Sequence, residues 1–162
     1  MLTRLLVTAF AALIISGSAR GESASELVGT WTLVSSIMEK DGKKTDQFGP
    51  GAHGRMSLDA NGRFMLTIIG ADLPKFSANN RAAGSPDENR AVVGKSIAML
   101  GTYSANLADK ALTFSVDTAT FPNWDGTQQK RSIVTLTGNE LKYLTAQASG
   151  GGTATVTWHR AK

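Results

Sequence analysis

Alternation of apolar and polar residues is the feature that most constrains how this chain folds. In residues 153–160, for example, Ala154, Val156 and Trp158 are separated by single threonines. A period of two residues places successive side chains on opposite faces of an extended strand. The same pattern predicts eight strands, at residues 27–37, 54–59, 63–69, 97–105, 111–118, 129–136, 141–147 and 153–160.

Most of the segments between these strands are short and contain turn signals, of which Asn61-Gly62 is the strongest. Short connections make neighbouring strands antiparallel. An open sheet of such strands leaves two unpaired edges, and closure into a barrel removes both. We therefore predict an all-β fold, an eight-stranded antiparallel up-and-down β-barrel.

Two longer segments interrupt the alternation. Residues 38–51 are polar and are predicted to form a loop. Residues 86–95 are predicted to form one short helix between strands 3 and 4, because Ser85 can cap its start, Pro86 suits the first turn and Glu88 completes a capping box.

The inward face is clear for most strands but not for all. In the first strand, apolar residues at odd positions predict that Leu27, Trp31, Leu33 and Ile37 face inward. The sixth strand allows two readings. Either its even positions 132, 134 and 136 face inward, or Arg131 and Ile133 do.

Composition excludes several classes of protein. The 162 residues include 17 Lys and Arg against 13 Asp and Glu, a net charge of +4, and the basic residues are scattered along the chain. Nucleic-acid binders usually carry a continuous basic face. The absence of cysteine excludes disulfides, thiol nucleophiles and cysteine-ligated zinc. We predict no nucleic-acid partner, no cofactor and no metal.

The N-terminus has the pattern of a secretory signal peptide. A basic start containing Arg4 is followed by an apolar run at residues 5–15 and by small residues at 16–19. The run is shorter than a membrane-spanning helix requires. We predict a signal peptide at residues 1–19, with cleavage as late as residue 24 as an alternative, and a barrel domain at residues 26–162 of a monomer. Its destination would be the periplasm or the exterior of a bacterial cell, without stable insertion in a membrane after cleavage.

Five short motifs resemble a known family. They are GTWTLVSS at residues 29–36, FGP at 48–50, GTY at 101–103, FPNWDGT at 121–127 and TWHR at 157–160. Together they resemble the lipocalin-like domain family, the bacterial and fungal lipocalin-like proteins of the calycin superfamily. The resemblance implies an eight-stranded barrel with a cup for a small molecule. It also implies that Gly29, Trp31 and Arg160 close one end, with the arginine covering the indole.

The predicted inward faces define a candidate ligand site inside the barrel. Its apolar and aromatic side chains would form the wall, and Tyr103, Tyr143 and Arg131 would orient a polar group of the ligand. The alternative is that the same side chains simply fill the core. The full candidate set is Met56, Phe64, Met99, Tyr103, Phe114, Trp124, Arg131, Tyr143 and Trp158.

We interpret the chain as a secreted barrel that binds a small, mostly hydrophobic molecule non-covalently. One alternative is a filled barrel that acts through its surface on a partner in the cell envelope. The other is an isomerase- or cyclase-type enzyme that uses the cup. The sequence offers no catalytic set for that enzyme, because His53 and His159 are the only histidines and neither stands in a nucleophile motif.

Overall fold

The computed structural model describes residues 24–162, and the predicted signal peptide lies outside these residues. Helix α1 spans Pro86–Gly94, and short 3-10 turns occur at Ala24–Glu26, Arg81–Ala83 and Pro122–Trp124. The strands are β1 (Gly29–Lys40), β2 (Lys43–Asp46), β3 (His53–Leu58), β4 (Arg63–Ile69), β5 (Ser96–Asn106), β6 (Ala111–Ala119), β7 (Gln128–Leu136), β8 (Glu140–Thr145) and β9 (Thr153–Arg160).

The strands form a closed antiparallel barrel, as predicted. Sequential neighbours pair from β3 to β9, and β1 pairs with both β3 and β9 to close the ring. These eight strands form the barrel wall. The ninth, β2, pairs only with the far end of β1, where residues 37–40 face residues 43–46. It therefore adds a short strand beside the end of β1, which pairs with β9 on its other side.

The predicted position of the helix is wrong, because the segment at residues 38–51 is not wholly a loop. It contains β2, so α1 lies between β4 and β5 rather than between strands 3 and 4. All four residues of β2 are exposed. A strand without a buried face carries no apolar alternation, which explains why the sequence pattern missed it.

Irregular pairing explains two further differences in the inward faces. In β1 the pairing with β9 shifts between Leu33 and Ser35, so Ser36 and Met38 become buried in place of Ile37. In β7 a similar shift lies after Ile133. Each β-bulge inserts one residue and reverses the alternation beyond it.

The bulge in β7 also settles which of its residues face inward. Arg131 and Ile133 are buried, whereas Val134 beyond them is half exposed. The reading with Arg131 inward is therefore correct for this part of the strand. A single alternation cannot describe a strand that changes face, which is why the sequence left the question open.

The two ends of the barrel differ in construction. Tight connections at one end join β3 to β4, β5 to β6 and β7 to β8. The other end carries the long connections at residues 47–52, 70–95, 120–127 and 146–152. The predicted capping box of α1 is present, since Glu88 accepts the Ser85 backbone N–H at 2.7 Å and the Ser85 hydroxyl accepts the Glu88 N–H.

Candidate functional site

The end with tight turns is sealed by Arg160 and Trp31. The guanidinium carbon lies 4.2 Å from the centroid of the Trp31 ring. Its Nη1 donates to the Val28 carbonyl at 2.7 Å and its Nη2 to the Glu26 carbonyl at 2.6 Å. The Trp31 indole N–H donates to the Leu27 carbonyl at 2.9 Å. These contacts tie both termini of the described chain across the base of the barrel.

Gly29 completes this closure. Its φ of +141° belongs to a region that favours glycine, and a Cβ at this position would collide with Nη1 of Arg160. The structure therefore brings together all three residues of the predicted closure, Gly29, Trp31 and Arg160.

The opposite end contains a cavity that opens to solvent. The volume of this cavity is about 50 Å³. It is therefore narrow and admits a slender part of a molecule, whereas sites for drug-sized ligands usually exceed about 300 Å³ of usable volume. The apolar side chains that line it are Phe48, Leu66, Ile68, Ile97, Met99, Trp124, Ala148, Ala154 and Val156.

Four of the nine predicted ligand-site residues line this cavity: Met99, Trp124, Arg131 and Tyr143. The other five do not line it. Met56, Phe64, Phe114 and Trp158 are buried in the core cluster. The Tyr103 hydroxyl donates to the Asp59 carbonyl at 2.8 Å and so holds the turn between β3 and β4.

The half of the barrel nearer the end with tight turns is filled by packed aromatic side chains. The Phe64 and Phe114 ring centroids lie 4.6 Å apart, and Phe114 meets Tyr143 edge-on at 6.4 Å. Such offset and edge contacts add to the burial of apolar surface. The alternative of a side-chain-filled core therefore holds for this half of the barrel, and the cavity occupies the other half.

Trp124 stands at the rim of the cavity on the FPNWDGT turn. Phe121 contacts its ring edge-on at 5.5 Å between centroids. The Thr127 hydroxyl donates to the Trp124 carbonyl at 2.7 Å, and the Asp125 carboxylate accepts the Ala119 N–H, also at 2.7 Å. The turn is thus held by its own polar residues, which places a half-buried indole at the entrance.

Among the described residues that line the cavity, Arg131 is the charged one, and it is only 5% exposed. Nη1 donates to the Lys130 carbonyl at 3.2 Å and both terminal nitrogens approach the Gln129 amide oxygen at 3.4 Å. The guanidinium also lies over the Phe114 ring at 5.9 Å. No carboxylate in residues 24–162 lies within ion-pair distance of it. Burial lowers the pKa of Arg131, and Tyr143 opposes that shift.

Two further hydrogen-bond donors lie in this part of the barrel, the Tyr143 hydroxyl close to Arg131 and the Trp158 indole N–H close to Tyr143. Burial raises the pKa of Tyr143, while Arg131 and the Trp158 indole N–H act in the opposite direction. The indole N–H faces the Tyr143 hydroxyl closely enough to influence it, but it has no acceptor with hydrogen-bond geometry. A buried donor without an acceptor costs free energy, on the order of 1–3 kcal/mol.

Sequence reasoning missed a polar part of the cavity wall. Ser36 and Gln47 line it, and the Ser36 hydroxyl donates to the Gln47 amide oxygen at 2.8 Å. Ser36 faces inward only because of the bulge in β1. Phe48 also lines the cavity, and the FGP motif at residues 48–50 was the signal that could have found it.

The histidines lie away from the cavity. His53 is exposed at the start of β3, and His159 is exposed and lies 3.6 Å from the Glu140 carboxylate. Within residues 24–162, no three His, Cys, Asp or Glu side chains are grouped closely enough to hold a metal ion. Nor does this part of the chain contain a helix long and apolar enough to cross a membrane.

A closed barrel with one sealed end and one open, mainly apolar cavity defines the class of cup-shaped β-barrels. The family profile described as "Lipocalin-like domain" matches residues 28–161. The chain therefore belongs to the lipocalin-like domain family, as its motifs predict.

Other comparisons are more distant. A redesigned β-barrel is 17% identical, with 86% of this chain and 95% of that chain covered and a TM-score of 0.46. A de novo designed fluorescence-activating β-barrel is 13% identical, with coverages of 85% and 96% and a TM-score of 0.45. A search of curated proteins finds no significant match.

Proposed function

We propose that this protein is secreted and binds a small, mostly hydrophobic molecule non-covalently in the cavity at the open end of its barrel. The contrast between the two ends carries the proposal. Arg160 and Trp31 close one end, whereas the other opens into a space with a mainly apolar wall. Closed ends with convergent apolar walls are typical of ligand sites in barrels.

Affinity would come mainly from the burial of apolar surface. Each Å² removed from water contributes about 25 cal/mol before the costs of ordering are subtracted. Because the cavity is narrow, it takes a slender or planar apolar group. A larger ligand requires the connections at residues 47–52 and 146–152, which supply Phe48 and Ala148 to the wall, to move outward.

Secretion is supported by the N-terminal sequence. The basic start, the apolar run at residues 5–15 and the small residues at 16–19 match the three parts of a signal peptide. Fractionation of the producing cells, followed by N-terminal sequencing of the exported protein, tests this part of the proposal. A periplasmic or extracellular product that begins after residue 19 or 24 is expected. An intracellular product that retains Met1 would contradict it.

Ligand binding is tested with the neutral dye N-phenyl-1-naphthylamine, whose fluorescence rises in apolar surroundings. We expect saturable binding of one dye per chain. Ala148→Phe fills the cavity and should weaken binding at least about tenfold, or roughly 1.4 kcal/mol. The matched control is Ala146→Phe, since Ala146 is exposed and does not line the cavity.

A second candidate function is an action through the outer surface. Met65 and Leu100 are directly paired on β4 and β5, and they are 59% and 40% exposed. Adjacent exposed apolar side chains are typical of contact surfaces when they form part of a larger patch. Dye binding that Ala148→Phe leaves unchanged and Met65→Ser abolishes would favour this surface over the cavity.

A further inference from the structure

The strand pairing of β7 fixes the Arg131 side chain in its inward direction. Arg131 pairs with Leu112 of β6, which is fully buried, and the bulge of β7 begins only after Ile133. The guanidinium therefore cannot turn to solvent without a shift in strand register, which would also expose Ile133. It lies three residues, about 10 Å, below the start of β7 at the open end.

The surroundings of Arg131 do not neutralise it. Its neighbours are the neutral amide of Gln129, a backbone carbonyl and the Phe114 ring, all at long or moderate distances. Arginine stays protonated in proteins, so it cannot escape the cost of burial by losing its charge. A buried charge is normally paired, because an unpaired one costs several kcal/mol.

The polar groups around it are suited to donate hydrogen bonds to an anion. The Tyr143 hydroxyl is close enough to Arg131 for each group to influence the pKa of the other, and both residues line the cavity. The Thr145 hydroxyl also lines the cavity from β8. A guanidinium with hydroxyl donors beside it binds carboxylates through short, charge-assisted hydrogen bonds.

The other residues that line the cavity indicate the chemical character of the rest of the ligand. Leu66, Ile68, Ile97 and Met99 line the cavity from β4 and β5, and Trp124 stands at the entrance. No Asp or Glu of the described residues 24–162 lines it. The wall above the guanidinium is therefore mainly apolar, with Ser36 and Gln47 as a polar part that carries no charge.

We infer that the cavity contains a carboxylate subsite formed by Arg131 and Tyr143, and that the natural ligand is an apolar monocarboxylic acid bound with its carboxylate inward. This inference rests on the proposed function and names its ligand class. The carboxylate enters the barrel first and pairs with the guanidinium, while the apolar body contacts the wall and Trp124.

Octanoate and 1-octanol form a matched pair of ligands for the test, because they share an alkyl chain and differ in charge. Titration calorimetry should give at least about tenfold tighter binding of octanoate to the wild-type protein, equivalent to roughly 1.4 kcal/mol. Arg131→Met should bring the two affinities to within about twofold, because it keeps an apolar side chain of similar length and removes the charge. Tyr143→Phe should reduce the preference by a smaller factor.

Lys130→Met is the control for net charge. Lys130 is exposed on the outer face of β7, next to Arg131. The substitution therefore removes one positive charge without changing the cavity. It should keep the preference for octanoate. Inorganic phosphate at millimolar concentration should not displace octanoate if the apolar body is recognised together with the carboxylate.

The outcomes separate the two proposals. Equal binding of octanoate and octanol by the wild-type protein overturns the carboxylate subsite but leaves the apolar cavity in place. A preference that survives Arg131→Met, or is lost in Lys130→Met, also overturns it. If neither ligand binds and the neutral dye does not bind either, both the subsite and the proposed function fail. Displacement by phosphate shows a general anion site and overturns the assignment of an apolar acid.

Discussion

Arg160 lies over the Trp31 ring, with its guanidinium carbon 4.2 Å from the ring centroid, and at the same time donates to three backbone carbonyls. These carbonyls belong to Glu26, Val28 and Gly138, so the side chain joins the chain before β1 to the turn between β7 and β8. One planar group therefore closes the base of the barrel.

This closure makes Arg160→Lys a specific test of the geometry. Lysine keeps the charge but cannot stack or donate in three fixed directions. We expect the free energy of unfolding in urea to fall by about 1–2 kcal/mol, from the lost stacking and the weakened hydrogen bonds. Arg63→Lys, an exposed substitution in β4, should change it by less than about 0.5 kcal/mol. Equal stabilities for the two variants would contradict a structural role for Arg160.

Trp124 should report on the cavity entrance. Trp31 and Trp158 are fully buried, whereas Trp124 is half-buried at the rim. Acrylamide should therefore quench mainly Trp124, and a bound apolar ligand should protect it, because the ligand covers the indole. Trp124→Phe should remove the quenchable fraction of the fluorescence. Unchanged quenching in that variant would mean that solvent reaches another tryptophan and that the barrel is more open than described.

The connection between β4 and β5 should loosen in acid. The Glu88 carboxylate accepts the backbone N–H groups of Ser77 and Ser85, which lowers its pKa. A lowered pKa in the folded state means that the stabilisation is present above the ordinary pKa of glutamate and is lost as the pH falls through the lowered value. Amide hydrogen exchange at residues 76–89, corrected for intrinsic rates, should therefore show less protection at about pH 3 than at about pH 6.

Variants of two neighbouring carboxylates show whether Glu88 is responsible for that pH dependence. Glu88→Gln should reduce it, whereas Asp87→Asn, at an exposed position whose carboxylate only meets Arg90 at 4.0 Å, should not. Some dependence should remain in Glu88→Gln, since Lys95 lowers the pKa of Asp72 in the same connection. Identical profiles for Glu88→Gln and the wild-type protein would refute the assignment.

Arg131 should not contribute to the stability of the ligand-free protein. It is buried without an ion pair among the described residues, so its removal relieves a desolvation cost. We expect Arg131→Met to have an unfolding free energy equal to or above that of the wild-type protein, and octanoate to stabilise the wild type more than the variant. A loss of more than about 1 kcal/mol in the ligand-free variant would show that the arginine serves the fold.

Much of the barrel could be predicted because its strands have one buried face each. In β9 the alternation correctly predicts that Ala154, Val156 and Trp158 are buried, although Thr157 on the opposite face is buried as well. The failures occur where a local structure has no apolar alternation. β2 is exposed on both faces, and the bulges in β1 and β7 change the inward face within a strand. Tertiary pairing, rather than local pattern, determines these features.

The candidate site was predictable only in part for the same reason. Met99, Trp124, Arg131 and Tyr143 were selected by inward parity or by motif, and they line the cavity. Parity cannot distinguish a side chain that lines a space from one that fills the core, so Met56 and Phe114 were selected equally. The boundary between the filled core and the cavity depends on which large side chains from different strands contact each other inside the barrel. Phe64 and Phe114 do so, with ring centroids 4.6 Å apart.

The most direct test of the binding cavity is to locate a ligand by NMR on the purified protein. Intermolecular nuclear Overhauser effects from bound octanoate should reach the methyl groups of Ile68, Ile97 and Met99, which line the cavity. They should not reach Met65 or Leu100 on the outer surface. Contacts with Met65 and Leu100 alone would contradict the account and place the interaction outside the barrel.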